Sequence, residues 1–209
     1  MESIEKQVIA SLSKRGRGTV FFSDSFSHLG TANRIHKAME ILIKQEKIIR
    51  VARGIYCYPK IDKQLGLGVL FPSVDDIVKA IAKRDHARVV PTGVWAQNKL
   101  GLSTQVPLNF VYLTDGTSRK LEILNGCLVT FKHTALKNLS FTNYLAMLIN
   151  VALRDLGQEN ITEEHIKRIH QLLQHEKQSD IERDYGRMTG WIREIVRGAI
   201  SCNHNHPYK

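Results

Sequence analysis

Residues 31–60 read TANRIHKAMEILIKQEKIIRVARGIYCYPK, and this stretch decides the fold of the N-terminal part of the chain. Thr31 is a favourable N-cap, and apolar residues recur behind it at the spacing of an amphipathic helix. These apolar residues are Ile35, Ala38, Met39, Leu42 and Ile43. Two β-rich pieces, 48–51 and 55–58, follow and are joined by the tight-turn sequence of residues 52–54. The stretch therefore predicts a helix that leads into a small hairpin.

The residues before this stretch predict two shorter helices. Apolar residues at helical spacing between positions 4 and 12 indicate a first helix, which ends at the basic, glycine-containing segment 14–18. Residues 19–22 indicate a brief extended piece, and residues 23–30 a single short helix that Gly30 stops. Three helices followed by a basic two-stranded hairpin is the order of a winged helix-turn-helix.

A second domain is predicted beyond the polar, glycine-containing segment 60–68. Helical periodicity predicts helices at 73–83, 92–100, 141–156, 162–174 and 188–199, and strand-like runs occur at 108–113, 121–124 and 128–131. The dipeptides Asp115-Gly116 and Asn125-Gly126 between these runs are typical of hairpins, which predicts a small antiparallel sheet. We therefore expect an α+β protein with a winged helix-turn-helix domain at 1–62, a mixed α+β domain with C-terminal helices at 68–200, and a flexible tail at 201–209.

The formal net charge of +10 is concentrated near the N-terminus. Lys and Arg outnumber Asp and Glu by 11 to 5 in residues 1–60 and by 10 to 6 in residues 61–140, and are balanced at 9 to 9 in residues 141–209. Such a gradient predicts a polyanion-binding face in the first of these segments. The chain has no apolar run of about 18 residues and a charged N-terminal opening, so we expect a cytoplasmic protein without a membrane partner.

Metal, cofactor and enzyme motifs are missing from the sequence. Cys57, Cys127 and Cys202 are odd in number and widely spaced, which favours neither disulfides nor a thiolate zinc site. His204 and His206 follow the last cysteine, but their spacing matches no structural zinc pattern. The sequence has no Walker loop and no GxGxxG, HExxH or GxSxG motif. We expect no metal, no cofactor and no enzymatic activity.

Polar residues on the third predicted helix have the pattern of a DNA-reading surface. The apolar stripe leaves Asn33, Arg34, His36 and Lys37 on the opposite face, beside Thr31 at the N-terminus. Arg pairs well with guanine and Asn with adenine in the major groove, while Thr and backbone N–H groups bind phosphates. The same pattern also fits the solvated face of a surface helix. Basic residues around the helix favour DNA, because they could grip the phosphate backbone. They are Lys14, Arg15, Arg17, Arg50 and Arg53.

Two parts of the sequence resemble the AbiEi-type antitoxins of bacterial type IV toxin-antitoxin pairs. One is the winged-helix stretch from Leu29-Gly30-Thr31 to the hairpin motif Arg53-Gly54-Ile55-Tyr56-Cys57-Tyr58-Pro59. The other comprises residues 92–107, Tyr112-Leu113-Thr114-Asp115-Gly116 and Phe131-Lys132-His133. The resemblance implies that the winged helix binds operator DNA upstream of its own two-gene operon. It also implies that the protein counteracts a nucleotidyltransferase-like toxin without forming a stable complex. By this resemblance, the DNA contacts are Thr31, Asn33, Arg34 and Lys37 on the helix and Arg50, Arg53 and Tyr56 on the wing.

The second domain contains another polar cluster around its predicted turns. We select Arg119, Lys120, Lys132 and His133 as candidates for further DNA contacts or for antitoxin activity. Turns are also where polar residues must lie in any fold, which leaves a purely structural explanation open.

The sequence leaves three functions open. The first is an autorepressor that is also the antitoxin of a nucleotidyltransferase-like toxin. The second is a stand-alone winged-helix regulator whose second domain dimerises or senses a ligand, and the third is an enzyme that acts on the toxin or its substrate. A single winged helix reads few base pairs, so we expect two copies to bind an inverted repeat, with a possible homodimer on double-stranded DNA.

Overall fold

The computed structural model describes residues 2–201, except for the side chains of Asn125 and Ser201, and has a mixed α+β fold. The predicted α+β class is therefore confirmed. The predicted tail lies almost entirely outside the described residues.

The chain divides into two compact units. The first comprises the residues up to His86 together with the short segment 122–126, and the second comprises residues 87–121 and those from 127 onward. The first unit thus extends beyond residues 62–68, where the sequence analysis set a boundary. Separate folding of the domains expected at 1–62 and 68–200 stays a prediction.

The first unit begins with a helix, a strand, a 3₁₀ helix, a second helix and a hairpin. Their bounds are α1 (Ile4–Arg15), β1 (Thr19–Phe22), the 3₁₀ helix Ser23–Leu29, α2 (Ala32–Lys44), β2 (Ile49–Ala52) and β3 (Ile55–Tyr58). The three strands form an antiparallel sheet in the order β1-β3-β2. This is the arrangement of a winged helix-turn-helix, as predicted.

The core of the winged helix collects the apolar faces of its helices and sheet. Val8 and Leu12 of α1 and Met39 of α2 are fully buried. The ring of Phe21 in β1 packs edge-on against Phe26 in the 3₁₀ helix, with ring centroids 5.8 Å apart. Because the buried side chains repeat at helical spacing, each helix keeps its opposite face in solvent.

The predicted linker forms a separate hairpin. β4 (Lys60–Asp62) pairs antiparallel with β5 (Gly68–Leu70). One carboxylate oxygen of Asp62 accepts hydrogen bonds from the backbone N–H groups of Gln64, at 2.7 Å, and Leu65, at 2.9 Å. Local hydrogen bonds of this kind order a turn that composition alone suggests is a linker.

Helix α3 (Val74–Arg84) forms where its cap predicted a helix, but it groups with the first unit and not with the second domain in which it was expected. Ser73 and Asp76 form a capping box, in which each side chain accepts a hydrogen bond from the other residue's backbone N–H. The guanidinium of Arg84 lies 4.2 Å from the centroid of the Phe22 ring in β1. This cation–π contact places the end of α3 against the winged-helix sheet.

The remaining elements follow in the order expected for the second domain, and the described residues add one strand, one short α-helix and four short 3₁₀ helices. Their bounds are β6 (Val89–Pro91), α4 (Gly93–Leu100), β7 (Asn109–Thr114), β8 (Arg119–Ile123), β9 (Cys127–His133), α5 (Tyr144–Leu156), α6 (Glu163–Leu173), α7 (Gln178–Glu182) and α8 (Gly190–Ser201). Among the described residues, no helix is long and apolar enough to cross a membrane.

The four-stranded sheet has the order β6-β7-β9-β8, and its β7–β9 pair is parallel, with Asn109 opposite Leu128. The prediction of a wholly antiparallel sheet is therefore wrong. The Asp115-Gly116 turn does not close a hairpin between β7 and β8, which are not neighbours. Instead, the Asp115 carboxylate accepts a 2.7 Å hydrogen bond from the backbone N–H of Arg88, just before β6. The turn thereby joins β7 to β6, and β8 lies on the far side of β9.

Helix α5 is the centre of the second unit, and its residues 146–153 are all buried. The helix begins at Tyr144, later than the predicted residue 141, because a side chain from a distant segment binds the backbone before it. The fully buried carboxylate of Asp184 accepts hydrogen bonds from the backbone N–H groups of Thr142, at 2.9 Å, and Asn143, at 2.7 Å.

Candidate nucleic-acid interface

Helix α2 presents a polar, positively charged face to solvent. Asn33, Arg34, His36 and Lys37 are exposed, whereas the buried residues of the helix are Ile35, Ala38, Met39 and Leu42. No hydrogen bond or ion pair to another described residue engages these four side chains. They are therefore available for contacts with a partner.

The N-terminus of α2 lies on the same surface. Thr31 is exposed, its side chain makes no capping hydrogen bond, and the first turn carries no acidic residue. The first backbone N–H groups of a helix carry a partial positive charge and attract phosphate oxygens. Thr31 and the first turn can thus receive a phosphate without displacing a carboxylate.

The β2–β3 hairpin carries two exposed arginines. Arg50 lies opposite Tyr56 on the neighbouring strand, immediately before a bulge in the pairing. Arg53 lies at the turn, followed by Gly54 with a φ of 74°, a backbone conformation that favours glycine. The carbonyl of Gly54 accepts a hydrogen bond from the backbone N–H of Ser23, so the turn is fixed to the start of the 3₁₀ helix. Arg53 therefore projects from an anchored turn.

Tyr56 is not a surface residue of the wing. Its side chain is only 6% exposed, and its ring stacks on Phe21 with centroids 5.7 Å apart. The resemblance made Tyr56 a wing contact, but this burial gives it a packing role in the sheet.

The basic loop after α1 lies at the other end of the hairpin from Arg53. Arg17 donates a 3.0 Å hydrogen bond to the carbonyl of Pro59, and its guanidinium lies 4.7 Å from the centroid of the Tyr58 ring. From the turn to this point, β3 spans roughly 10 Å. The turn and the loop are therefore two separate basic regions and do not form one cluster.

Lys14 and Arg15 are also exposed, and Arg15 lies over the Phe26 ring, 5.9 Å from its centroid. Contacts of this kind hold a guanidinium near one position while its N–H groups stay accessible. Arg15 and Arg17 are thus positioned by aromatic rings, whereas Lys14 extends into solvent.

The second polar cluster lies on the neighbouring strands β8 and β9. The Arg119 guanidinium lies 5.2 Å from the centroid of the Phe131 ring, and Lys120 and Lys132 are exposed. His133 is held by the turn before β8: its Nδ1 is 3.0 Å from the carbonyl oxygen of Gly116, and its backbone N–H donates to the Ser118 hydroxyl at 2.8 Å. The structure brings these residues onto one part of the sheet but assigns them no ligand.

The cysteines described by the structure have no features of a reactive or metal-binding site. Burial, aided by the nearby Asp76 carboxylate, raises the pKa of the Cys57 thiol to about 11. Cys127 is half-buried and free. No three His, Cys, Asp or Glu residues within the described part of the chain are grouped to hold a metal. Cys202, His204 and His206 lie outside the described residues.

One feature that the sequence analysis missed is a cavity in the second unit, lined by Asn150, Arg154 and Arg187 among others. Asn150 and Arg154 lie one turn apart on α5, whereas Arg187 comes from a distant part of the sequence, and the three follow no motif. The cavity forms only when α5 packs against the C-terminal helices, so it can be found only in the folded structure.

The fold and the surface of α2 define the class of the protein: a winged helix-turn-helix protein with a second α+β unit. Residues 7–181 match the sequence model of a family of unknown function, DUF6088, and the chain belongs to that family. No curated protein matches the chain.

Proposed function

We propose that this protein is a sequence-specific regulator of transcription that binds double-stranded DNA through its winged helix. The observation that carries the proposal is the exposed face of α2. Its four polar side chains are unengaged by other described residues, its first turn lacks acidic residues, and its opposite face is buried in the core. A surface helix with these properties suits the major groove, where the N-terminal part of a recognition helix contacts base edges.

The positions of the charged residues suggest two different roles, base reading by α2 and phosphate binding by the two basic regions. Arg34 and Asn33 lie where base edges would be read, while Arg50 and Arg53 on one side and Lys14, Arg15 and Arg17 on the other would bind phosphates. Six phosphate contacts, counting Lys37, would give a slope of about −5 for the logarithm of the binding constant against the logarithm of salt concentration.

The resemblance to AbiEi-type antitoxins supports a more specific proposal. The regulated genes would be the protein's own operon, read as an inverted repeat by two copies. The protein would also counteract a nucleotidyltransferase-like toxin without forming a stable complex with it. Arg119, Lys120, Lys132 and His133 are the candidate residues of the second unit for this antagonism.

Fluorescence anisotropy with the full-length protein tests the DNA-binding proposal. The duplex from upstream of its own gene is compared with a scrambled duplex across a salt series. We expect a preference for the native duplex that persists at physiological salt. Equal binding to both duplexes with a steep salt dependence would reduce the winged helix to a non-specific clamp, and absence of binding would refute the proposal.

Two arginine variants test the division between reading and clamping. Arg34→Ala should weaken binding to the native duplex by roughly 1–3 kcal/mol while changing the scrambled duplex little. Arg53→Ala should weaken both duplexes alike and lower the salt slope by about one unit. Arg183→Ala, which removes an exposed arginine of the second unit, is the control and should change neither. Identical behaviour of the first two variants would contradict the division.

Co-expression tests the antitoxin proposal separately. The proposal requires a nucleotidyltransferase-like protein to be encoded beside this gene; the two proteins are produced together, and growth is measured. Rescue that is retained by Arg34→Ala would assign the antagonism to the protein outside its reading helix. DNA binding without any rescue would favour the stand-alone regulator.

A further inference from the structure

The second unit contains a cavity of about 340 Å³ that mixes charged, amide and apolar side chains. The walls come from Thr92 after β6, from β7 and α5, and from the segments that precede α5 and α8, so the cavity belongs to this unit alone. Its volume is within the usual range for small-molecule sites.

A buried amide lies on the wall of this cavity. Asn150 is 4% exposed, and its Oδ1 accepts a 3.1 Å hydrogen bond from the backbone N–H of Thr189. This bond fixes the orientation of the amide, because only the oxygen can accept. Its Nδ2 has no hydrogen-bond partner among the described residues. Nδ2 is not one of the fully buried unpaired atoms among the described residues, so it is reachable from the cavity and can donate to an acceptor atom of a ligand.

Two guanidinium groups also line the cavity. Arg154 makes no hydrogen bond or ion pair with another described residue. Arg187 is positioned by two bonds from its Nη1, to the backbone carbonyl of Arg183 at 2.8 Å and to the carboxylate of Asp184 at 3.2 Å. These bonds leave Nη2 and Nε of Arg187 available. A pair of guanidinium groups beside one cavity suits a phosphate, which each can bind through more than one N–H group.

The remaining walls suit the other parts of a nucleotide. The carboxylate of Asp155, which accepts a 3.3 Å hydrogen bond from the Gln97 amide, can accept from ligand hydroxyl or amino groups. Phe141 and Val151 supply an apolar surface against which a base or sugar can pack. Arginine and aspartate together would also suit an amino acid, but a molecule that small would leave much of this cavity filled with water.

We propose that this cavity binds a mononucleotide, with its phosphate between Arg154 and Arg187 and its base or sugar against Phe141 and the Asn150 amide. The proposal is independent of DNA binding, because none of these residues lies in the winged helix. A nucleotide bound here would make the second unit a ligand sensor.

Isothermal titration calorimetry on the full-length protein tests this proposal. The probes are AMP, GMP, CMP and UMP, followed by the matching nucleosides and by inorganic phosphate. We expect at least one mononucleotide to bind, and its nucleoside and phosphate alone to bind at least roughly tenfold more weakly. No heat from any mononucleotide at millimolar concentration would overturn the proposal. So would equal binding of nucleotide and nucleoside.

Arginine variants locate the site. Arg154→Gln should weaken nucleotide binding roughly tenfold or more, because it removes a charged donor that the fold does not use. Arg183→Gln is the matched control, since Arg183 is paired with Asp180 outside the cavity and should leave binding unchanged. Circular dichroism of both variants checks that each remains folded. Equal affinity of Arg154→Gln and the unmodified protein would place any binding elsewhere and refute the site.

Discussion

Replacing Asp184 by asparagine should destabilise the protein strongly, although the two side chains have nearly the same shape. Asp184 is fully buried, and its two carboxylate oxygens accept hydrogen bonds from the backbone N–H groups of Thr142 and Asn143. Asparagine has the same shape but replaces one of these oxygens with an NH₂ group. In either orientation of the amide, one backbone N–H then faces another donor and loses its acceptor.

The expected loss follows from these contacts. A hydrogen bond to a charged group contributes roughly 1.5–3 kcal/mol, and a buried donor left unpaired costs roughly 1–3 kcal/mol. The two effects overlap, so we expect Asp184→Asn to lower the free energy of unfolding by about 2–4 kcal/mol. The 3.2 Å ion pair with Arg187 is also lost, but Arg187 is 41% exposed and water can solvate it.

Urea unfolding followed by circular dichroism measures this loss as a shift of the midpoint at unchanged slope. The control is Asp180→Asn, because Asp180 has a 3.1 Å ion pair with Arg183 but both side chains are partly exposed. Such a surface pair contributes about 0–1 kcal/mol. If the two variants lost the same stability, Asp184 would not be the anchor that the hydrogen bonds indicate.

Three further predictions concern the first unit. Cys57 should react with iodoacetamide at pH 8 far more slowly than Cys127, because burial raises its pKa to about 11; equal labelling of the two peptides by mass spectrometry would contradict this. The same thiol ionises near pH 9.0 in the unfolded chain, so it contributes stability below that pH that is lost as the pH rises toward 11. The loss should be on the order of 2–3 kcal/mol and absent from the pH profile of Cys57→Ala. Gly54→Ala should cost roughly 1–2 kcal/mol because its φ is 74°, whereas Gly186→Ala, which has no such φ and no close neighbours, should be near neutral in thermal denaturation.

The winged helix could be predicted from sequence because its signals are local. The spacing of apolar residues alone predicts the buried face of α2, and the dipeptide Arg53-Gly54 predicts the hairpin turn that the structure has. Tyr56 was different, because its burial depends on Phe21, a residue more than thirty positions away that β1 brings beside β3. Pairing of distant segments leaves no local pattern.

The second unit was predicted less completely for the same reason. Strands β7, β8 and β9 were located, but β6 was missed. The parallel β7–β9 pair depends on β8 crossing to the far edge, and Asp115 bonds to Arg88 instead of closing a hairpin. The cavity could not be predicted, because Arg187 meets Asn150 and Arg154 of α5 only in the folded second unit.

The segment 122–126 groups with the first unit although it lies between two stretches of the second. A break in the gene after codon 86 would therefore separate the first unit from residues 122–126, which belong to it. The winged helix itself, from α1 to β3, is encoded by one uninterrupted stretch, so recombination can exchange that part alone but not the whole first unit.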